Sequence, residues 1–141
     1  MTAYLLDVNV LLALSWPEHQ FHEVVQGWFS RHARKGWATC PMVEAGFVRI
    51  LSNPAFSAHA ISPSEAVNAL KFNTRHSAHQ FWPDDLSVAE ALASLPQEVG
   101  GHKQITDAYL LALAVRHRGK LATLDNGIRA WGTGAAVEVI E

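Results

Sequence analysis

An apolar stretch near the N-terminus, ending on an acid, is the feature that most constrains how this chain can fold. Tyr4, Leu5 and Leu6 are followed at once by Asp7. Short apolar runs of this kind are typical of strands buried inside a parallel sheet. Asp7 would then lie at the carboxyl end of the strand, where open α/β sheets place their binding sites. Because Asp is also a favoured N-cap residue, a role limited to beginning the next helix is a second interpretation.

The same pattern returns near the other end of the chain, where the mostly apolar residues 121–124 lead to Asp125. Over the whole chain, the predicted strands and helices follow the order βα, α, βα, α, βα, βα, β. This alternation predicts an α/β fold of three layers, in which a mostly parallel central sheet carries helices on both faces. With 141 residues, the chain is expected to form one domain.

Prolines and a capping pattern indicate where several helices begin. Residues 10–14 are expected to form a single helical turn, after which Pro17 opens a new helix. Its buried face is predicted to contain Phe21, Val24, Val25, Trp28 and Phe29. Pro41 is predicted to open a further helix, and Ser62 with Glu65 forms a capping box for the next one. The buried side of that helix is predicted to contain Ala66, Val67, Ala69, Leu70 and Phe72.

Composition and charge narrow the class of protein. Cys40 is the only cysteine, so no intrachain disulfide can form. A cytoplasmic protein with no membrane partner is expected, because the sequence shows neither a signal-peptide pattern nor a bilayer-spanning apolar run. The formal net charge of −2 argues against nucleic-acid binding through a broad basic surface. It does not exclude a nucleic-acid enzyme, because cations held by acids invert the local charge.

Four acids are predicted to meet at one edge of the sheet. Asp7 and Asp125 end strands that face the same edge, while Glu44 and Asp107 lie in the first turns of helices that begin there. Carboxylates so close together repel one another unless cations neutralise them. An oxygen donor set without Cys or clustered His suits Mg²⁺ or Mn²⁺ rather than zinc. Two interpretations follow: metal-dependent hydrolysis of phosphodiesters or phosphomonoesters, or four acids that each cap a separate helix.

Six short segments carry a resemblance to a known family. They are LDVNVLLAL (6–14), EAGFVR (44–49), LSNP (51–54), FWPDD (81–85), GHKQITDAYLL (101–111) and LATLD (121–125). In this order they resemble the PIN-domain nucleases and, within them, the VapC-type toxins of bacterial toxin-antitoxin pairs. The resemblance covers nearly the whole chain and implies a single PIN domain over residues 1–141.

The resemblance also implies an activity, a site and partners. It implies an endoribonuclease dependent on Mg²⁺, with Mn²⁺ as a substitute, in which a metal-activated water cleaves RNA. The catalytic and metal-binding residues that it implies are Asp7, Glu44, Asp107 and Asp125. Asn9 and Thr123 match polar positions that hold the acids or the phosphate in place. The implied partners are RNA as substrate, a VapB-type antitoxin and a second copy of the chain as a homodimer, with DNA bound only through the antitoxin.

Two rival hypotheses come from the same residues. A phosphatase of the haloacid dehalogenase kind also begins with a strand that ends on Asp, but it needs a second acid two residues later. Asn9 occupies that position and cannot transfer a proton, so this hypothesis is the weaker one. The other rival is a PIN-like module that uses its acids to bind metal and hold a partner without cleaving RNA. The presence of all four acids argues against it.

Overall fold

A parallel five-stranded sheet forms the centre of the domain. The structure is a computed structural model that describes residues 2–34, 36–56, 60–96, 98–131 and 136–141. The strands are β1 (Tyr4–Leu6), β2 (Trp37–Thr39), β3 (His79–Phe81), β4 (Lys120–Thr123) and β5 (Val137–Val139). They pair in the order β3-β2-β1-β4-β5, and every pairing is parallel. The predicted parallel α/β architecture is therefore confirmed.

The strand order places a topological switch point beside β1. The chain moves from β1 outward to β2 and β3, then returns to the other side of β1 to form β4 and β5. In open α/β sheets, the crevice beyond the carboxyl ends of the strands at such a point is the usual binding site. Asp7 follows β1, and Asp125 lies two residues beyond β4. The two acids therefore end on either side of the switch point.

Six α-helices pack against this sheet within the described residues. They are α1 (Val8–Ser15), α2 (His22–Trp28), α3 (Pro41–Leu51), α4 (Pro63–Thr74), α5 (Val88–Ala93) and α6 (Ile105–Arg116). Helix α2 continues as a π-helical turn over Phe29–Ala33, and 3₁₀ turns cover His102–Gln104 and Asn126–Trp131. Helix α1 contacts α2 and α3, α3 contacts α4, and α5 contacts α6. No helix in these described segments is both long and apolar enough to cross a membrane.

The predicted helix starts agree with the structure at two positions and differ at a third. Helix α3 begins at Pro41, and the capping box of α4 is formed by Ser62 and Glu65. Helix α2, in contrast, begins at His22, so the prediction that Pro17 opens it is wrong. Residues 17–21 form turns instead, for which the fixed φ of proline is equally suited. The imidazole Nδ1 of His22 lies 2.7 Å from the carbonyl oxygen of Ala13, which ties the start of α2 to α1.

Helix α1 is longer than the single turn predicted for residues 10–14. It spans Val8–Ser15, and the side chain of Asp7 caps it by accepting a hydrogen bond from the backbone N–H of Val8. The helix ends at Trp16, whose extended backbone is the conformation favoured before a proline. Asp7 is therefore an N-cap, as the structural interpretation predicted, and this role does not exclude a second one.

The core is apolar, but two aromatic residues predicted to be buried lie outside it. Leu5, Leu6, Leu111 and Leu121 are fully buried around β1, β4 and α6. Phe21 is 41% exposed and Phe72 is 72% exposed, so their predicted burial is wrong. Val24 and Val67 are also exposed, whereas Val25, Trp28 and Ala66 are buried as predicted. Amphipathic spacing predicted the buried residues of each helix, but it also included neighbouring residues that the packing leaves exposed.

Gly119 connects α6 to β4 at a point where the chain passes very close to its neighbours. An added Cβ would lie 2.5 Å from the carbonyl oxygen of Ala3 and 2.8 Å from Cη2 of Trp82. The Ala3 oxygen accepts a hydrogen bond from the backbone N–H of Lys120, at 3.0 Å, and cannot move without loosening the β1–β4 pairing. We therefore expect Gly119→Ala to lower the free energy of unfolding by about 1–3 kcal/mol in urea titrations. The control is Gly101→Ala, where a Cβ meets nothing within 4 Å, and equal stability of the two variants would contradict the prediction.

Candidate active site

A cavity of about 280 Å³ lies at the switch point and contains three of the four predicted acids. Its lining includes Asp7, Asn9, Arg49, Thr106, Asp107 and Asp125. Asp7 comes from the end of β1, Asp107 from the first turn of α6, and Asp125 from the loop after β4. Three acids that are far apart in the sequence thus share one small volume.

Asp7 is the most enclosed of the three acids, with only 7% of its surface exposed. One carboxylate oxygen accepts the Val8 N–H at 2.7 Å, and the other accepts the hydroxyl of Thr123 at 2.9 Å. Burial raises the pKa of Asp7 and the charge of Asp125 adds to this, whereas the two hydrogen bonds act in the opposite direction. The carboxylate is therefore fixed in orientation and would gain from a nearby positive charge.

Thr123 connects the two strands that flank the switch point. Its side chain is fully buried, and its hydroxyl oxygen accepts the backbone N–H of Asp125 at 3.1 Å while its proton is donated to Asp7. One carboxylate oxygen of Asp125 accepts the N–H of Gly127 at 2.8 Å. Asp125 is thereby held over the end of β4, on the exposed side of the cavity. Thr123, for which the resemblance implied a supporting role, thus hydrogen-bonds to Asp7 through its hydroxyl.

Asp107 shows the mutual repulsion of the acids most clearly. Burial, with smaller contributions from the charges of Asp7 and Asp125, raises its pKa from 3.8 to about 6. Only carboxylates close enough to interact in a partly desolvated site have this effect on one another. Perturbed acids gathered in a cleft are typical of functional sites, although ion-pair networks produce them as well.

The donor atoms of the cavity fit a hard divalent cation. The lining offers three carboxylates, and the side-chain oxygen of Asn9 is buried without a hydrogen-bond partner. An orphaned amide oxygen costs free energy unless a donor or a cation meets it. Among the described residues, no group of three His, Cys, Asp or Glu side chains is drawn together as a ready cation cage. Mg²⁺ does not require one, because it is usually held by one or two carboxylates and keeps several waters.

Glu44, the fourth predicted acid, is absent from the described lining of this cavity. Its carboxylate accepts a hydrogen bond of 2.7 Å from the hydroxyl of Thr39, the last residue of β2. The same hydroxyl lies 2.8 Å from Nε2 of His79 on β3. The structure thus brings Asp7, Asp107 and Asp125 together and places Glu44 at the end of the adjacent strand.

Four residues of this region were not predicted from the sequence. Arg49 and Thr106 line the acid cavity. Thr39 contacts Glu44, and His79 contacts Thr39. The sequence could have indicated Thr39, because Thr39 is the last residue of β2 just as Thr123 is the last residue of β4. Nothing in the local pattern distinguishes Arg49, whose place in the lining depends on how α3 packs against α1.

A parallel α/β domain with acids gathered at its switch point defines a class of candidate metal-dependent hydrolases, and comparison with known proteins narrows it. The model of the PIN domain family matches residues 4–132. Ribonuclease VapC39 of Mycobacterium tuberculosis is 42% identical over 140 residues, which cover 99% of this chain and 100% of that protein. Ribonuclease VapC38 of the same organism is 42% identical over 124 residues, covering 88% of this chain and 86% of that protein.

A solved structure supports the same fold. The crystal structure of VapBC2 from Rickettsia felis, bound to a DNA fragment from its promoter, has a TM-score of 0.66. The match covers 99% of this chain and 100% of that chain at 11% identity, so it speaks for the fold alone. The chain belongs to the PIN-domain family, and its relatives at 42% identity are VapC ribonucleases. The resemblance seen in the sequence segments is therefore confirmed.

Proposed function

We propose that this chain is a divalent-metal-dependent endoribonuclease, a single PIN domain over residues 1–141 that acts as the toxin of a VapBC-type pair. The observation that carries the proposal is the convergence of Asp7, Asp107 and Asp125 on one cavity at the switch point of the sheet. The names of the relatives, ribonucleases at 42% identity over nearly the whole chain, support RNA as the substrate class.

Asp7 and Asp107 are the proposed ligands for Mg²⁺ or Mn²⁺, with Asp125 and the amide oxygen of Asn9 completing the oxygen set. Such an ion, when bound, supplies Lewis acidity toward a phosphate oxygen and a lowered pKa for an attacking water. Asp7 needs no reorganisation to take part, because Val8 and Thr123 already fix both of its oxygens. Preorganised groups of this kind stabilise a charged transition state at little cost.

Asp125 is suited to orienting the attacking water. One of its oxygens accepts the N–H of Gly127, and its exposed position in the lining gives the carboxylate access to water, from which it can accept a hydrogen bond. Burial and the charges of Asp7 and Asp125 raise the pKa of Asp107 to about 6, so a bound cation would favour its ionised form near neutral pH. Backbone and hydroxyl donors thus fix the orientations of Asp7 and Asp125.

The proposed partners are an RNA substrate, a VapB-type antitoxin and a second copy of the chain. The Rickettsia felis structure contains a VapBC pair on promoter DNA, which supports an antitoxin partner with DNA reached through it. A formal net charge of −2 agrees with a toxin that does not itself hold DNA through a basic surface. Co-expression with a cognate antitoxin is expected to yield a stable complex, and expression alone is expected to arrest growth.

Cleavage of total RNA tests the activity and its metal dependence together. We expect discrete fragments when the purified protein is incubated with Mg²⁺ or Mn²⁺, none with EDTA, and recovery when the ion is returned in excess. The reason is that the acids of the cavity repel one another and the phosphate until a cation neutralises them. Cleavage that continues unchanged in EDTA would refute the metal role. A folded, metal-loaded protein that cleaves no RNA would instead favour the interaction-module hypothesis.

A further inference from the structure

Three side chains, from the end of β2, the start of β3 and the first turn of α3, form a continuous hydrogen-bonded chain outside the described lining of the acid cavity. Glu44, in the first turn of α3, accepts from the Thr39 hydroxyl at 2.7 Å, and Thr39 lies 2.8 Å from His79 Nε2. Thr39 is fully buried, and Glu44 and His79 are half-buried. A buried hydroxyl between an acid and an imidazole is a costly arrangement unless each hydrogen bond is made.

The directions of these hydrogen bonds follow from the single proton of the Thr39 hydroxyl. That proton is donated to the carboxylate of Glu44, so the hydroxyl oxygen must accept from His79. His79 therefore carries its proton on Nε2. Burial lowers the pKa of His79, which favours the neutral ring, although the charge of Glu44 acts in the opposite direction. The order is then His79 to Thr39 to Glu44, each group donating to the next.

The Thr39–Glu44 end of this hydrogen-bonded chain lies at the same sheet edge as the proposed catalytic acids. The strands β1 and β2 are direct neighbours, with Leu5 paired to Ala38, so Asp7 and Cys40 follow adjacent strand ends. The backbone N–H of Glu44 bonds to the carbonyl of Cys40 at 2.9 Å, one helical turn further on. Helices α1 and α3 approach closely here, since a Cβ on Gly46 would lie 2.9 Å from Val8. Glu44 thus stands at the same sheet edge as Asp7 but outside the cavity lining.

We propose that Thr39 and His79 are positioning residues that fix the carboxylate of Glu44 outside the direct ligand set, from where it orients the water or the groups around the site. The inference rests on the proposed nuclease function and deepens it. Partners that hold an acid beside a metal site set its geometry, and their loss typically costs about 10–100-fold in activity. The structure therefore separates the four acids into three that face the cavity and one that acts from beside it.

Steady-state cleavage by variants of Thr39 provides the first test. Thr39→Val keeps the shape of the buried side chain but removes the hydroxyl, so we expect kcat to fall roughly 10–100-fold with little change in KM. Thr39→Ser retains the hydroxyl and is expected to restore most of the activity. For the other end of the chain, His79→Leu should lower kcat, and His79→Gln, whose amide can donate in place of Nε2, should recover part of it. Equal activity of Thr39→Val and the parent would overturn the proposal.

A double-mutant cycle distinguishes positioning from a general loss of structure. If Thr39 acts through Glu44, adding Thr39→Val to Glu44→Gln should lower kcat by less than roughly twofold. The reason is that the carboxylate that Thr39 positions is already absent from Glu44→Gln. Independent structural damage would make the two effects multiply. Melting curves of all variants accompany the cycle, and the Thr39→Ser and His79→Gln variants keep the test decisive should Thr39→Val fold poorly.

Binding of Mn²⁺ alone, followed by electron paramagnetic resonance, provides a readout that does not depend on cleavage. We expect Glu44→Gln and Thr39→Val to lose less Mn²⁺ affinity than Asp7→Asn, which removes a direct ligand and should lose tenfold or more. A loss in Glu44→Gln as large as in Asp7→Asn would make Glu44 a direct ligand and overturn the inference. Failure of the nuclease function itself would look different, since the parent protein would then cleave no RNA at all.

Discussion

Asp107→Asn is expected to abolish RNA cleavage and, in metal-free buffer above pH 6, to raise the melting temperature. Both effects arise from the negative charge of Asp107. A bound cation needs this charge, but in the metal-free protein it is unfavourable because the carboxylate is partly buried and lies near Asp7 and Asp125. A rise of the pKa from 3.8 to about 6 corresponds to about 3 kcal/mol in a fully enclosed site. Solvent screening of this half-buried group reduces the gain to about 1 kcal/mol, or roughly 3–5 °C.

The direction of the pKa shift of Asp107 determines how the gain in stability depends on pH. The folded-state pKa of Asp107 lies above its unfolded value, so the folded state binds the proton more tightly and loses stability as pH rises from about 4 to about 6. The stabilisation by Asp107→Asn should therefore be absent at pH 3.5 and complete at pH 7. Calorimetric melting in EDTA across this range measures it.

Asp85 provides a matched control for Asp107. It is exposed and pairs with Arg116 at 3.2 Å, away from the acid cavity. Asp85→Asn should leave cleavage intact and change the melting temperature little, because exposed ion pairs contribute at most about 1 kcal/mol. A melting temperature that drops in Asp107→Asn at every pH would show that this acid stabilises the fold and would contradict the predicted conflict between stability and activity.

Asp7→Asn should reduce cleavage at least 100-fold and leave the melting temperature of the metal-free protein within a few degrees of the parent. Loss of a direct ligand is expected to cost at least as much as loss of a supporting partner, which is about 10–100-fold. The stability change is small because opposing effects offset each other. Asn keeps an oxygen for the N–H of Val8 and removes a buried charge, but it no longer accepts well from Thr123.

Cleavage assays, Mn²⁺ binding and melting curves on Asp7→Asn separate a catalytic role from a structural one. Asp7 caps α1, so a variant that unfolds would mark the residue as chiefly structural. Retained cleavage by a folded Asp7→Asn protein would remove it from the site altogether. The expected combination is a folded protein that has lost both the ion and the activity.

Local sequence signals predicted the elements on which the site is built. An apolar run ending on Asp7 became β1, and its counterpart before Asp125 became β4. Pro41 and the Ser62–Glu65 pair marked the starts of α3 and α4 because capping and proline geometry depend on only a few neighbouring residues. Parallel topology then follows from the alternation of strands and helices, which brings strand ends to a common edge.

Properties set by distant packing could not be predicted in the same way. Phe72 lies on an amphipathic helix, yet 72% of its surface is exposed because nothing among the described residues covers it. Pro17 suits either a turn or a helix start, and the contact between His22 and Ala13 accompanies the later start of α2. The hydrogen bond from Thr39 to Glu44 joins residues five apart in the sequence, but the contact of Thr39 with His79 depends on the pairing of β2 with β3.

The central position of β1 also affects when this domain acquires its cleft during synthesis. Asp7 is made before its partner Thr123, which lies 116 residues further along the chain. The pairing of β1 with β4 therefore waits until almost the whole domain has left the ribosome, and contacts of such long range form slowly. A nascent chain that lacks β4 has neither Asp125 nor the hydroxyl that fixes Asp7. A cell making this protein thus meets a harmless chain until its last strands emerge.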